Sequence, residues 1–268
     1  MLVVCIYTEV VGRVWCMWLA PEASRVRVQR ANRLILQSTV VLTKFTLRVF
    51  AARLDVHGEV PTGRFIVVSN HQSIADIAIL SSVLRNLNLK FVAKDGLGRR
   101  VPAVSLVLNH WGSVLISRDG TRHDVRQLRV MARGLAHWEG SAVVFPEGTR
   151  SRDGRILPYK AAAVRIVAEA TDLPILPVAI DGTHSVSDLI GFAGHMNGAH
   201  GTLTIGRPIP SDQWRGRIDE VVDEIRDWAC HTITALRDPS AASRPVGHRD
   251  TVSQNTGGEP GPTAHPTN

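Results

Sequence analysis

Six short apolar runs, separated by stretches of helical period, constrain the fold more than any other feature of this chain. They are Phe65–Val68, Lys90–Ala93, Ser113–Ile116, Ala142–Phe145, Ile175–Ile180 and Thr202–Ile205. Each is too short for a helix and too continuous for a half-exposed strand, so they read as strands buried on both faces. Strands alternating with helices predict an α/β domain with a mainly parallel central sheet flanked by helices. At 268 residues and 44% hydrophobic, the chain can bury such a sheet as one large domain with appendages.

The appendages lie at both ends. Residues 1–20 are strongly apolar, but Glu9 and Arg13 interrupt the run, no basic segment precedes it, and Pro21 stands where a leader would be cleaved. The uninterrupted apolar length falls short of the ~20 residues that span a bilayer, so an interfacial or tilted helix is expected. Residues 30–54 read as a second helix. Arg30, Arg33, Gln37, Lys44 and Arg48 form a narrow polar stripe on a broad apolar surface that includes Leu34, Val40, Val41, Phe45, Val49 and Phe50. A basic stripe of this kind suits a membrane surface; the competing reading is a helix buried in the domain with its stripe outward. Residues 212–236 carry an ordinary amphipathic pattern, with Val221, Val222, Ile225, Ala229 and Ile233 on one side. Beyond them, residues 237–268 hold five prolines and four glycines, with only Val246 and Val252 as larger apolar residues, a composition that predicts a disordered tail. The expected organisation is therefore 1–57 membrane-associating helices, 58–236 the α/β domain and 237–268 the tail.

Lysine and arginine total 31 against 24 acids, a net charge of +7 that fits an anionic membrane surface, an anionic substrate or nucleic acid. Nucleic acid lacks support, because no zinc-finger spacing, RNP-type aromatic run or dense basic helix is present. Cys5, Cys16 and Cys230 form no Cys-x-x-Cys pair and have no histidines at zinc-ligand spacing, so reduced structural thiols and no metal are expected.

The candidate chemistry lies just after two of the strands. The run Asn70-His71-Gln72-Ser73-Ile74-Ala75-Asp76 pairs a base with a carboxylate. Five residues apart, the two would sit about 140° from each other on an ideal helix, so they cannot pair within one. They can meet if His71 lies in a strand-to-helix loop and Asp76 in the first turn of the following helix. The carboxylate would then fix the imidazole tautomer, leaving the other ring nitrogen to accept a hydroxyl proton. Ser73 reads as the helix cap, Ser-x-x-Asp76. The second run, Phe145-Pro146-Glu147-Gly148-Thr149-Arg150-Ser151, also ends a strand and would reach the same edge of the sheet. Arg150 can grip a phosphate in a bidentate fork, Gly148 permits a tight turn with exposed amides, and Glu147 is expected to orient Arg150 or an acceptor hydroxyl. Arg118, after the 113–116 strand, is a further phosphate candidate, with a surface arginine as the alternative. Lys94, Arg99, Arg100 and Lys160 are weaker candidates for the same basic mouth. No Gly-x-Ser-x-Gly elbow exists to carry a serine acyl-enzyme.

These motifs resemble the signature blocks of the glycerolipid acyltransferases, in particular the 1-acylglycerol-3-phosphate acyltransferase branch. Asn70-His71-Gln72-Ser73-x-x-Asp76 resembles the first block and Phe145 to Ser151 the third. Lys94, Pro102 and Val114-Leu115-Ile116-Ser117-Arg118 are similar to the second, and Ile175-Leu176-Pro177-Val178 to the fourth. One departure is Tyr159-Lys160-Ala161-Ala162, where the family usually has Phe-Lys-x-Gly. The resemblance implies His71 as general base with Asp76 as its orienting partner. It also implies a phosphate-side set of Arg118, Glu147, Gly148, Thr149 and Arg150, and two N-terminal membrane-contacting helices. No acyl-enzyme, bound cofactor or metal is implied. The implied co-substrate is acyl-CoA or acyl-carrier protein, and the implied partners are a lysophospholipid and an anionic lipid surface. The expected setting is a peripheral or monotopic protein on the cytoplasmic face of the cell membrane.

Overall fold

A computed structural model describes residues 51–94, 114–116, 122–137, 139–186 and 198–238, together with helical positions between 37 and 49. Seven strands are described: β1 (Arg53–His57), β2 (Ile66–Ser69), β3 (Lys90–Lys94), β4 (Val114–Ile116), β5 (Ala142–Val144), β6 (Ile175–Asp181) and β7 (His200–Ile205). The helices are α1 (Ala75–Val83), α2 (Arg122–Ala136), α3 (Ala161–Thr171), the short α4 (Ser211–Trp214) and α5 (Ile218–Arg237).

The strands form one sheet in the order β1-β7-β6-β2-β5-β3-β4. Strands β6, β2, β5, β3 and β4 run parallel; β7 pairs antiparallel with β6, and β1 lies parallel to β7 at the edge. The expected mainly parallel α/β fold is therefore present. Successive side chains of a strand face opposite ways, so β2 feeds two cores. Val67 packs with Ile77, Leu80, Phe91, Leu176 and Leu203 on one face. Ile66 and Val68 pack on the other with Leu128, Val164, Val221 and Ile225, drawn from α2, α3 and α5. All four β2 residues are buried, which explains their unbroken apolar sequence.

Several boundaries differ from the expectation. The second N-terminal helix does not reach residue 54. The N–H of Ala52 bonds Leu47 O at 2.8 Å and Ala51 takes φ 48°, a left-handed helix terminus, after which β1 begins. Residues 53–57 thus belong to the sheet rather than to the N-terminal segment. The 212–236 helix is two helices, broken at Gly216 (φ 78°). Arg237, expected in the tail, is the last residue of α5. The first N-terminal helix and residues 239–268 lie outside the described residues.

Candidate active site

Three neighbouring parallel strands, β6, β2 and β5, end on the same edge of the sheet, and the loops that leave them build the site. After β2, Asn70 turns inward and is fully buried. Its Nδ2 donates to Ile180 O at 2.8 Å and its Oδ1 accepts the Ile180 N–H at 2.7 Å, fastening the loop to β6. His71 follows in the loop, 3% exposed, and stacks on Phe145 with ring centroids 4.1 Å apart.

Asp76 is the second residue of α1 and is completely buried. Its Oδ2 accepts the N–H groups of Gln72 at 2.7 Å and Ser73 at 2.8 Å, and lies 2.9 Å from His71 Nδ1. An oxygen already accepting two amide hydrogens serves as an acceptor to the ring as well, so Nδ1 carries the proton and Nε2 is left as the basic nitrogen. The pair therefore has the expected loop-to-helix geometry. The N-cap position of α1 is Ile74 rather than the expected Ser73; Ser73, one residue earlier, still contributes, its Oγ accepting the Ala75 N–H at 3.2 Å while the Asp76 carboxylate accepts the Ser73 N–H.

The loop after β5 is joined to His71 at two points. Ser151 N–H donates to His71 O at 2.8 Å, and His71 N–H lies 3.3 Å from Glu147 Oε1. Glu147 is only 3% exposed and its Oε2 is buried without a hydrogen-bond partner. Its Oε1 therefore faces the backbone of the base. Burial pushes its pKa up to about 8; the backbone N–H groups of His71 and Leu157 pull the other way, and Asp76 adds a smaller upward push. The buried Tyr159 hydroxyl nearby also lacks a partner, and burial, then Glu147, raises its pKa.

Gly148 takes φ 68° with open space where a Cβ would stand, the turn expected of it. Its own N–H donates to Phe145 O at 3.1 Å, so that amide closes the turn instead of being offered to an anion. Thr149 is exposed, Arg150 is half-buried and Lys160 is exposed. Arg118, Arg99 and Arg100 lie outside the described residues, as does the Lys94 side chain. Ala162, the departure from the usual glycine, is exposed on α3. Among the described residues no group of three or more His, Cys, Asp or Glu could hold a metal ion.

The third wall, the loop after β6, carries no motif in the sequence. Thr183 Oγ1 donates to Asp76 Oδ1 at 2.7 Å. Asp181 accepts Arg237 Nε at 2.9 Å and Nη2 at 2.6 Å, and Gln72 Nε2 at 3.3 Å. The glycine of Asp181-Gly182-Thr183, directly after a buried strand, is the one local signal that a built turn lies there.

Residues 53–181, which carry all three walls up to Asp181, match the model of the Acyltransferase family. This domain belongs to that family. The chain is 33% identical over 162 residues to a chloroplastic 1-acyl-sn-glycerol-3-phosphate acyltransferase of Brassica napus, covering 60% of this chain and 44% of the relative. It is 34% identical over 128 residues to the 1-acyl-sn-glycerol-3-phosphate acyltransferase of Helicobacter pylori, covering 47% and 52%. With the mouse alpha enzyme of the same name it shares 30% identity over 173 residues, covering 61% and 58%. The chain thus spans about half the length of these curated relatives. Its fold is that of the 1-acyl-sn-glycerophosphate (LPA) acyltransferase PlsC from Thermotoga maritima. That similarity has a TM-score of 0.64 at 23% identity, over 88% of this chain and 96% of that one.

Proposed function

We propose that this protein transfers a fatty acyl group from an acyl thioester to the free hydroxyl of 1-acyl-glycerol 3-phosphate, giving phosphatidic acid in phospholipid biosynthesis. The observation that carries the reading is the buried His71–Asp76 pair, 2.9 Å apart at the carboxyl end of β2. The shared name of the matching relatives supports the choice of acceptor.

In the proposed reaction the acceptor hydroxyl oxygen attacks the thioester carbonyl while His71 Nε2 takes its proton. Asp76 holds the imidazolium that forms. Collapse of the tetrahedral intermediate breaks the C–S bond, and the proton on His71 passes to the departing sulfur. The products are the new ester and a free thiol. Arg150, with Arg118, is assigned to the phosphate, and Gly148 and Thr149 to the turn that presents Arg150. Glu147 supports the loop of the base. The donor is acyl-CoA or acyl-carrier protein, and no resident cofactor or metal takes part.

We further propose that residues N-terminal to β1 hold the protein on the cytoplasmic face of an anionic membrane as a peripheral or monotopic attachment. Val41, Phe45 and Val49 support this, being 66%, 56% and 58% exposed at four-residue intervals along the helix before β1. Among the described residues no helix is long and apolar enough to cross a membrane.

The test is a panel of acceptors in liposomes with one labelled acyl thioester: 1-acyl-glycerol 3-phosphate, glycerol 3-phosphate, lyso-ornithine lipid and other lysolipids. Labelled phosphatidic acid as the main product is expected. A preference for another acceptor would change the substrate, and free fatty acid alone would indicate a hydrolase.

A further inference from the structure

We propose that Thr183 is a positioning residue for the acyl-transfer reaction, holding Asp76 in the one orientation that presents Oδ2 to His71. The kinetic part of this inference rests on the function proposed above; the geometry does not. The two oxygens of Asp76 have separate work. Oδ2 serves the Gln72 and Ser73 amides and His71 Nδ1, whereas Oδ1 accepts the Thr183 hydroxyl at 2.7 Å. Asp76 is fully buried and Thr183 only 5% exposed, so water cannot readily substitute for that hydroxyl. A carboxylate with one oxygen anchored by three donors can still tilt about that anchor. A fourth donor on the opposite oxygen fixes the plane of the group, and with it the direction from Oδ2 to the imidazole.

The chain is built to deliver that hydroxyl. Asp181 ends β6, and Gly182 follows at φ 82°, where a Cβ would stand 2.2 Å from His200 O. Only glycine fits such a close approach to β7, and the turn it makes aims Thr183 at α1. Arg237, from the far end of α5, binds both oxygens of Asp181 and also Gly154 O at 2.8 Å, pinning the base of the turn. Gln72 Oε1 lies 3.4 Å from Thr183 Oγ1, but a hydroxyl has one hydrogen, and the shorter contact to the carboxylate takes it.

The experiment compares wild type, Thr183→Val and Thr183→Ser in acyl transfer to 1-acyl-glycerol 3-phosphate. It also records the proton resonance of His71 Nδ1–H without substrate. Thr183→Val matches the shape but has no hydroxyl. We expect kcat to fall about 10- to 100-fold, with KM for both substrates within about twofold. The Nδ1–H resonance is expected to shift or to vanish through faster exchange. Thr183→Ser should keep kcat within about threefold of wild type and keep the resonance. Should the valine variant fail to fold, Thr183→Ala carries the same comparison. A valine variant with wild-type kcat and an unchanged resonance would overturn the assignment, as would a serine variant as impaired as the valine one. If wild type acylates none of the acceptors, the functional reading fails, and the ring-proton resonance alone decides the role of Thr183.

Discussion

The backbone N–H of His71 meets the buried carboxyl of Glu147 at 3.3 Å, joining two motifs 76 residues apart in sequence. A carboxyl with a pKa near 8, whose Oε2 has no partner, keeps its proton through most of the neutral range. In that state Oε1 is a neutral acceptor for the His71 amide. Glu147→Gln reproduces this state, so activity within about fivefold of wild type is expected, whereas Glu147→Ala leaves the amide without its partner and should cost at least tenfold in kcat. Steady-state kinetics on the two variants decide it.

The same carboxyl gives a stability profile with a definite sign. Its folded pKa of about 8 lies above the ordinary 4.5, so the folded chain binds this proton more tightly than the unfolded chain does. Its contribution is fully present below pH ~4.5, falls as pH rises toward ~8 and then levels, a swing on the order of 5 kcal/mol at most. Glu147→Gln should flatten this part of the curve, as denaturant titrations at pH 5, 7 and 9 would show. An unchanged slope would mean that Glu147 ionises freely.

Asn70 is expected to be a structural bolt. Its side chain satisfies both polar groups of the Ile180 backbone inside the protein. Asn70→Ala would leave a buried donor and a buried acceptor unpaired, at a cost of about 2–4 kcal/mol in a denaturant melt.

Arg237 and Asp181 form a second bolt, this one sensitive to acid. Burial works to raise the Asp181 pKa, but Arg237, Gln72 and the Gly182 N–H outweigh it and hold it below the usual carboxylate range. That stabilisation is present above pH ~4 and is lost as pH falls through the folded value. Arg237→Ala should therefore destabilise by about 1–2 kcal/mol at pH 7, and progressively less as acid protonates Asp181 in the folded chain.

The contrast between β2 and β1 explains which parts of the fold were legible in the sequence. Strand β2 is buried on both faces and is apolar through Val68. Strand β1 lies at the sheet edge with only Leu54 partly covered, and its sequence, Arg-Leu-Asp-Val-His, carries no comparable signal. Its start is hidden as well, because Ala51 ends the preceding helix without a glycine or proline to mark the stop. The His71–Asp76 junction was readable because both residues follow one strand and their spacing excludes a helical face. The direction of Glu147, the hydroxyl of Thr183 and the reach of Arg237 were not. Each depends on how β2, β5 and β6 align side by side, a matter of contacts between residues 56 to 107 positions apart that no local pattern encodes.

The most direct measurement is the acyl-transfer rate of purified His71→Ala beside wild type, at saturating thioester and 1-acyl-glycerol 3-phosphate, with each variant's melt confirming that it is folded. If His71 Nε2 is the base, kcat should fall by about 10²- to 10⁴-fold, with labelled phosphatidic acid formed only slowly. Full-rate transfer by folded His71→Ala would contradict the mechanism.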